Sequence, residues 1–393
     1  MTSKKTYNLI LGGYVNGYSI VSELYEKKVE NIALFSYSNS LATKSKKLEC
    51  FKIISKEANS LKEAIFELKE QCDYIVIYPT DDIQIENLHE IYEDIKSFCF
   101  IPFNKENIIS CLDKNYQYKF CKDYNIPYPK SIVVNKKENL KELQYIMFPL
   151  LVKPAKRYSD TKKIFRNLYL ASKQDFDNSL ELITSLLNDN VSLIFSEFIP
   201  GDDTNIYAYT AYRSKEGKIL NEWVGKKLTQ YPDEFGVFSS AVNSAPEIVR
   251  KQGRELLKVL NLYGIAQPEF KYDERDGQYK LMEINLRSMM WHRLGNLTGV
   301  YLQYTQYLDA TNNKIESYTQ NLNGNIHFIY LKHEITNLLF RKKYFKHFKN
   351  NVFKGEVNSL ALYDVKDLKP FIFDQFATVK FILSRCLKAL KIK

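Results

Sequence analysis

The sequence predicts an α/β protein whose first part is a parallel sheet covered by helices and whose later parts are α+β. The first observation is that residues 1–105 alternate short apolar strands with helices of 3.6-residue periodicity, as βαβ units do. The second is a change of character after residue 105, where prolines interrupt helices and strands follow one another. A length of 393 residues suits two to four packed units of this kind.

The first unit is Rossmann-like. Apolar runs predict strands at 7–13, 31–37, 73–78 and 98–103, and amphipathic runs predict helices at 17–27, 60–71 and 85–96. The turn Gly12–Gly17 after the first strand is not GxGxxG, and no acidic residue closes the second strand, so a nicotinamide cofactor is disfavoured. The loop Pro79–Asp82 lies past the carboxyl end of a strand, where open parallel sheets bind their ligands.

The remaining chain divides at changes of pattern. A helix is predicted at 108–124, ending before the prolines of Asn125–Pro129, and is followed by a strand at 131–134 and a helix at 138–146. The apolar strand Phe148–Pro154 carries a single lysine, Lys153. We therefore predict four segments, with boundaries at 1–105, 106–190, 191–310 and 311–393.

Composition excludes several classes of protein. No run of about 18 apolar residues exists, and the first residues enter a strand without an export signal. The six cysteines are scattered without metal-binding spacing, which predicts reduced thiols and a cytoplasmic location. The net charge of +10 is compatible with nucleic acid, but no nucleic-acid-binding motif accompanies it, so we predict no such partner.

The most informative segment is Gly264–Arg287, which reads as a β-hairpin turning at Glu274–Gly277. If the turn centres on Asp276, Glu269 and Glu283 lie opposite each other and Asn285 shares their face. Two opposed carboxylates destabilise a sheet unless a cation lies between them. Three hard oxygen ligands favour Mg²⁺ bound jointly with phosphate oxygens.

This hairpin resembles the metal-binding hairpin of the ATP-grasp superfamily, in which an acidic residue precedes an E-x-N sequence by about a dozen positions. Asp113-Lys114 followed by Asn125–Pro129 resembles the family's entry helix and its short proline segment. Phe148–Pro154 resembles the strand whose lysine contacts phosphates, and Phe195–Asp203 resembles the strand over the adenine. The motifs occur in the family's order over residues 1–310. The nearest look-alikes are carboxylate–amine ligases, including D-aspartate ligases and ATP-grasp proteins of surface-polysaccharide pathways.

The resemblance implies a Rossmann-like pre-ATP-grasp domain, a two-lobe ATP-grasp fold and a basic C-terminal extension, with ATP and Mg²⁺ as cofactors. It assigns the metal to Glu269, Glu283 and Asn285. It assigns ATP binding to Lys114, Lys153, Lys162, Glu197, Phe198, Ile199 and Asp203. Asp202 is the alternative to Asp203 for binding the ribose. The family's phosphate flap is glycine-rich, whereas Ala155–Arg166 has no glycine, so which of its cations, Lys162 among them, contacts phosphate stays open.

The catalytic residues implied are Arg287, as a guanidinium for a carboxylate or acyl phosphate, and either Lys226 or Lys227 for phosphate or substrate, with Lys227 preferred. His292 is considered as a proton shuttle. The implied reaction joins a small carboxylate to an amine, from an amino acid or a glycan, through an acyl phosphate, in cell-wall or polysaccharide-precursor synthesis. The alternatives are a bicarbonate-using carboxylase or carbamoyl-phosphate-type enzyme, and an ATP-binding protein without turnover. The oligomeric state is not predicted.

The tail is basic and aromatic. Arg341–Lys354 carries six Lys or Arg residues and no acid, and Phe376–Lys393 carries five. On a helix, one stripe collects the apolar residues Val379, Ile382, Leu383, Cys386, Leu387 and Leu390. The stripe is expected either to pack on the protein body or to lie on an anionic membrane at its inner face.

Overall fold

The computed structural model describes residues 5–155, 164–233 and 236–391, with side chains up to residue 387. The N-terminal unit is a five-stranded parallel sheet of strand order β3-β2-β1-β4-β5. Its elements are β1 (Thr6–Leu11), α1 (Val15–Glu26), β2 (Ile32–Ser36), β3 (Cys50–Ile53), α2 (Ala58–Lys69), β4 (Tyr74–Tyr78), α3 (Asp82–Glu90), α4 (Tyr92–Ile95) and β5 (Cys99–Phe100).

The predicted Rossmann-like parallel sheet is confirmed, with three differences. Strand β3 was not predicted, because its pattern of half-buried and exposed residues lacks the apolar run of its neighbours. The helix predicted at 85–96 is two helices, α3 and α4, separated at Ile91. Helix α3 also begins earlier than predicted, because the Asp81 side chain accepts a hydrogen bond from the Ile83 amide and completes a capping box with Gln84.

The small lobe is a four-stranded antiparallel sheet of order β6-β9-β7-β8. Its segment contains α5 (Ile108–Leu112), α6 (Lys114–Asp123), β6 (Ser131–Val134), β7 (Leu150–Pro154), β8 (Leu168–Leu170), α7 (Lys173–Asn188) and β9 (Leu193–Glu197). The single helix predicted at 108–124 is wrong, because Asp113 ends α5 and caps α6 by accepting from the Asn115 amide at 2.7 Å. The helix predicted at 138–146 is a 3₁₀ segment, Lys137–Tyr145.

The large lobe is built on a seven-stranded sheet of order β14-β13-β10-β11-β12-β15-β16. Up to residue 310 it contains β10 (Ile206–Arg213), β11 (Ile219–Tyr231), β12 (Val237–Val242), α8 (Glu247–Val259), β13 (Gly264–Asp273), β14 (Gln278–Asn285), α9 (Arg293–Leu297) and α10 (Leu302–Ala310). One apolar core joins β1 and β4 of the N-terminal unit to α8 and β13 of this lobe. The two units therefore pack against each other directly.

The tail continues the same sheet. It contains β15 (Ile326–Ile329), α11 (Leu331–Phe340), α12 (Phe345–Phe353), β16 (Val357–Leu360) and α13 (Leu368–Lys391). Strand β15 pairs with β12, and β16 pairs in parallel with β15. The sheet therefore crosses the boundary that the sequence suggests at residue 310.

A polar cluster fixes the tail to the lobe, and we call it the Glu334 cluster. The carboxylate of Glu334 is fully buried and accepts hydrogen bonds from Thr229 Oγ1 at 2.6 Å, Ser239 Oγ at 2.8 Å and Tyr344 Oη at 2.8 Å. Glu334 and Tyr344 come from the tail, and Thr229 and Ser239 come from β11 and β12. Each hydroxyl satisfies one lone pair of the buried charge, which removes most of the cost of burying it.

Helix α13 packs on the protein body along one side, and part of the predicted apolar stripe stays exposed. Its first half packs on the body through Pro370, Asp374 and Thr378, which are buried. In its second half Val379, Leu383 and Leu387 of the predicted apolar stripe are exposed. No helix in the described part of the chain is long and apolar enough to cross a membrane.

Candidate functional site: a cleft between the lobes

The predicted register of the hairpin, with Glu269 opposite Glu283, is confirmed, but the position of the turn does not by itself produce it. Near the turn, residues pair as Asp273 with Gln278 and Phe270 with Leu281, which alone would place Glu269 opposite Met282. A β-bulge on β14 shifts the register by one residue between Phe270 and Glu269, so Glu269 lies opposite Glu283. Bulges commonly redirect side chains beside functional sites. This bulge brings the two carboxylates together.

Each of these carboxylates is paired with a lysine from another strand or helix. Lys227 Nζ on β11 lies 2.7 Å from Glu269 Oε1, and both side chains are buried. Lys114 Nζ, at the start of α6, lies 2.5 Å from Glu283 Oε2. The break between α5 and α6 at Asp113 is what places Lys114 at a helix start facing the hairpin. The lysines balance two carboxylates that would otherwise repel each other.

Lys153 on β7 is the third lysine of the cleft and has no salt bridge among the described residues. Burial, and to a smaller extent the charge of nearby Lys114, lower the pKa of its ammonium from 10.5 to about 8. Conversely, Lys114 and then Lys153 hold the pKa of the Glu283 carboxyl far below its usual range, against the effect of burial. The cations of the cleft, Lys114, Lys153, Lys227, Lys271 and Arg166, outnumber its glutamates, Glu197, Glu269 and Glu283, which suits an anionic ligand.

A cavity of about 260 Å³ lies between β7, β9 and the hairpin. Glu197, Phe198 and Ile199 line it at the end of β9, as the adenine assignment expects. The Phe198 amide is not available to a purine, because it donates to the Pro149 carbonyl at 2.9 Å. The Glu197 amide is likewise engaged, because it donates to the Lys130 carbonyl at 2.9 Å, so a backbone donor for adenine would come from Ile199.

Asp203 does not line this cavity. Its side chain is 4% exposed, and its two oxygens accept from the backbone amide and the side-chain amide of Gln230, each at 2.9 Å. Arg341 of the tail lies 3.5 Å from the same carboxylate. The rival Asp202 caps the 3₁₀ segment Asp203–Asn205 instead. The ribose role of Asp203 stays a prediction, and it would require Asp203 to exchange its present partners.

A second, larger cavity of about 590 Å³ opens beside the first, and the two share Arg166, Gly236, Glu269 and Glu283. Its walls come from loops at the carboxyl ends of β1, β2 and β4 and from the segment after β14. The loop after β1 requires glycine at position 12, where φ is +97° and a Cβ atom would lie 2.2 Å from Thr80 Oγ1. This is the edge where a parallel sheet is expected to bind its ligand.

Arg287 and Asp82 face each other in this second cavity. Arg287 Nε lies 2.6 Å from Asp82 Oδ1, so an ion pair joins the large lobe to the start of α3 in the N-terminal unit. Although burial acts against it, Asp82 raises the pKa of the Arg287 guanidinium above its ordinary value. Lys227 lines the same cavity. Lys226 points elsewhere and lies over the Tyr207 ring at 5.4 Å. The geometry favours Lys227 of the two.

His292 lies outside both cavities. Its ring nitrogens are 3.1 Å from Gln267 Oε1 and 3.2 Å from Gln303 Nε2, and burial lowers the pKa of the imidazole to about 3. It is a neutral packed histidine, and a proton-shuttling role has no support. Lys162 and its neighbours 156–163 lie outside the described residues. Arg166, at the far end of the same segment, lines both cavities.

Lys271 and Met282 are among the residues of the first cavity that sequence reasoning missed. Lys271 is buried, lines the cavity and lies over the Phe198 ring at 5.0 Å. Its position two residues after Glu269 on the same strand was the available signal, because such residues share a face. Met282, the extra residue of the bulge, also lines the cavity, and nothing in its spacing indicates this.

The donor set at the hairpin suits a magnesium ion that is completed by a ligand. Among the described residues, no cluster of three or more His, Cys, Asp or Glu side chains could hold a metal alone. Glu269 and Glu283 offer hard carboxylate oxygens, and Asn285 lies in the same cavity with an amide. The Asn285 Nδ2 atom is buried without a hydrogen-bond partner, so the described protein groups do not satisfy this donor. Such a partial set suits Mg²⁺ shared with phosphate.

Comparisons with solved structures agree with this architecture. The ADP complex of an N5-carboxyaminoimidazole ribonucleotide synthetase superposes with a TM-score of 0.66 at 16% identity and covers 86% of each chain. The biotin carboxylase domain of Hydrogenobacter thermophilus 2-oxoglutarate carboxylase, solved with MgADP, ADP and bicarbonate, superposes with a TM-score of 0.64 at 15% identity, covering 81% of this chain and 73% of that one. The chain has the ATP-grasp fold. The predicted fold class is thereby confirmed, and the predicted resemblance holds at the level of the fold.

Sequence comparison adds a relative. The chain is 27% identical over 209 residues to the D-aspartate ligase of Enterococcus faecium (strain Aus0004). That match covers 50% of this chain and 49% of the ligase, so it spans about half the length of each protein. No family model matches the sequence.

Proposed function

We propose that this ATP-grasp protein is an ATP-dependent ligase that joins a carboxylate to an amine through an acyl phosphate. The observation that carries the proposal is the pair Glu269 and Glu283, brought opposite each other by a bulge in a cleft with Lys114, Lys153 and Lys227. The match to a D-aspartate ligase and the fold neighbours solved with ADP support the same class.

In this proposal Glu269, Glu283 and Asn285 hold Mg²⁺ together with ATP phosphates. The ion supplies charge neutralisation for the transferred phosphoryl group. Lys114 and Lys227 are now the ion-pair partners of the two carboxylates. A bound metal nucleotide would replace the lysines in that role. The lysines would then be released to the phosphate oxygens, joining Lys153, whose ammonium has no carboxylate partner within the described parts of the chain. The protein's contribution is to position reactants and offset charge.

The second cavity is proposed to hold the carboxylate and the amine. A carboxylate oxygen attacks the γ-phosphorus of ATP, and ADP leaves. The amine nitrogen then attacks the acyl carbon, phosphate leaves with that oxygen, and the amine loses a proton. Arg287 would hold a carboxylate or the acyl phosphate in a bidentate manner, and Asp82, its present partner, would face an ammonium group. A zwitterionic amino acid satisfies both groups at once.

A role in cell-wall or surface-polysaccharide synthesis rests on the D-aspartate ligase match and on the sequence resemblance. Because both solved-structure comparisons concern proteins related to carboxylation, a bicarbonate-using reaction is the second candidate. The ligase and the carboxylase reactions can be distinguished by the substrate that stimulates ATP hydrolysis. A ligase needs an organic carboxylate, and a carboxylase needs bicarbonate.

The test is ADP release by the full chain with Mg·ATP and a panel of amino acids that includes D-aspartate, with and without amines or bicarbonate. We expect release to depend on an organic carboxylate, and heavy oxygen placed in that carboxylate to appear in the released phosphate. Stimulation by bicarbonate alone would select the second candidate, and no stimulation by any carboxylate would leave ATP binding without turnover. Lys227→Met should abolish the stimulation, whereas Lys226→Met, on the opposite face of the same strand, should not.

A further inference from the structure

Helix α13 presents opposite chemistry on its two sides. On the inner side, Asp374 is buried and its Oδ1 atom accepts from Tyr330 Oη at 3.0 Å, while Thr378 Oγ1 donates to the Asp374 carbonyl at 2.7 Å. The side against the protein is therefore partly polar. An isolated amphipathic helix would be expected to turn its apolar side inward instead.

The outer side carries large apolar residues, which we call the α13 stripe. Their positions are separated by 4, 3, 4 and 4 residues, which places them on one face of a helix. Their side chains remain substantially in contact with solvent: Ile372 47%, Phe376 73%, Val379 55%, Leu383 57% and Leu387 59%. A contiguous exposed apolar row of this kind usually marks an interaction surface.

Positive charge accompanies the stripe. Lys369 and Lys380 are exposed and lie beside it at helical spacing. After Asp374 the chain to Lys393 has five Lys or Arg residues and no acid. Arg385 is not part of this surface, because it donates to Tyr231 Oη at 2.7 Å and lies over the Phe340 ring at 4.5 Å.

We propose that the α13 stripe binds an anionic lipid surface, with the helix lying along the headgroups. Apolar side chains flanked by lysines are the chemistry that such a surface recognises. A second copy of this chain fits less well, because Lys369 and Lys380 would meet their own copies. A stable interface also needs roughly 800 Å² from each partner, whereas five half-exposed side chains offer roughly 500 Å². The inference does not depend on the proposed catalytic activity.

Nearby sequence offers the same combination a second time. Phe345 and Phe353 of α12 are 70% and 67% exposed, and Lys342, Lys343, Lys346 and Lys349 are exposed around them. Helix α11 contacts both α12 and α13. We include α12 only as a second region to be tested, because its exposed side chains do not continue the α13 stripe along one helix.

The experiment is co-sedimentation of the full chain with phosphatidylcholine vesicles, with and without phosphatidylglycerol, at low and high salt. We expect binding only with phosphatidylglycerol, weakened by salt. Phe376→Ser combined with Leu383→Ser should weaken binding by more than about tenfold, because the variant lacks two apolar side chains that would be buried among the lipids. Lys380→Glu should weaken it by about tenfold.

Controls use equally exposed residues elsewhere. Met147→Ser replaces a side chain that is 74% exposed on the small lobe, and it should bind vesicles like the wild-type protein. Because all of these side chains are exposed, the variants should fold, which a circular dichroism melt verifies. Vesicle binding unaffected by the stripe variants overturns the proposal, as does no binding at low salt. A dimer that forms without lipid and is lost in the Phe376 and Leu383 variant assigns the stripe to a second copy instead.

Discussion

The cleft and the Glu334 cluster both hold carboxylates against the same seven-stranded sheet, but the partners of these carboxylates differ. In the cleft, Glu269 and Glu283 are paired with the ammonium groups of Lys227 and Lys114 and line open cavities. In the cluster, Glu334 is held by three hydroxyl groups and faces none of the cavities described above. A ligand that enters a cavity can replace the lysine partner of a carboxylate that lines it. A buried carboxylate whose oxygens are all hydrogen-bonded to packed hydroxyl groups instead contributes to stability. The comparison predicts which substitutions cost activity and which cost folding.

The largest effect is expected from Glu283→Ala. It removes a proposed metal ligand from a partly exposed position, so ADP release should fall by more than about a hundredfold while the fold persists. ADP release at saturating Mg²⁺ and a thermal melt measure the two. Glu222→Ala is the matched control. Glu222 lies on the same sheet, outside both cavities, and is paired with Arg254. Turnover within about threefold of wild type would remove Glu283 from the site.

Glu334→Ala should show the reverse pattern. It leaves the hydroxyls of Thr229, Ser239 and Tyr344 without their acceptor and opens a cavity, so the free energy of unfolding should fall by roughly 3 kcal/mol. Urea unfolding measures this, and ADP release per folded molecule should be retained. Glu334→Gln keeps an accepting oxygen and should cost less. If Glu334→Ala unfolds at the wild-type urea concentration, the cluster does not stabilise the tail.

Lys153→Met separates charge from packing within the cleft. The methionine keeps the aliphatic part and removes an ammonium group that burial already disfavours, so thermal stability should be unchanged or higher. Nucleotide affinity should fall by roughly tenfold or more, measured by calorimetry. Lys173→Met, an exposed lysine of the same lobe, serves as the control. Equal nucleotide affinity for wild type and Lys153→Met would show that Lys153 is not a phosphate ligand.

The smallest effect concerns Glu23, a third kind of buried carboxylate. It accepts from Asn296 Nδ2 at 2.8 Å and from the Tyr304 amide at 2.9 Å, and burial raises its pKa from 4.5 to about 7. A carboxyl with a raised pKa stabilises the fold below pH 4.5, and this contribution is lost as the pH rises to about 7. Unfolding free energies measured across that window should fall by roughly 1 kcal/mol per pH unit relative to Glu23→Gln. A pH-independent difference would contradict the assignment.

Local patterns were sufficient for much of this structure. The alternation of apolar strands and helices predicted the parallel unit, and the spacing of Glu269, Glu283 and Asn285 predicted that the residues of the hairpin would meet. The bulge at Met282 was not readable, because it depends on how β14 fits against β13 and α6 rather than on any special residue. The helix break at Asp113 was readable in principle, since aspartate is a preferred N-cap.

Long-range partners set the limit of prediction. Arg287 was identified as a candidate, but its pairing with Asp82, 205 positions earlier, depends on the packing of two units. Asp203 carried the right chemistry for a ribose, yet Gln230 and Arg341 are its partners here. A sequence motif fixes which groups are available. It does not fix which of them are already engaged by neighbours from distant parts of the chain.

The pairing of β15 with β12 has a consequence for how this protein can be divided. Residue 310 looks like a domain boundary in the sequence, but a chain ending there would leave the edge of β12 open and would separate Thr229 and Ser239 from Glu334. An open strand edge is a template for aggregation. The large lobe is therefore not separable from its tail, and fusions or domain exchanges should keep residues 206–360 together.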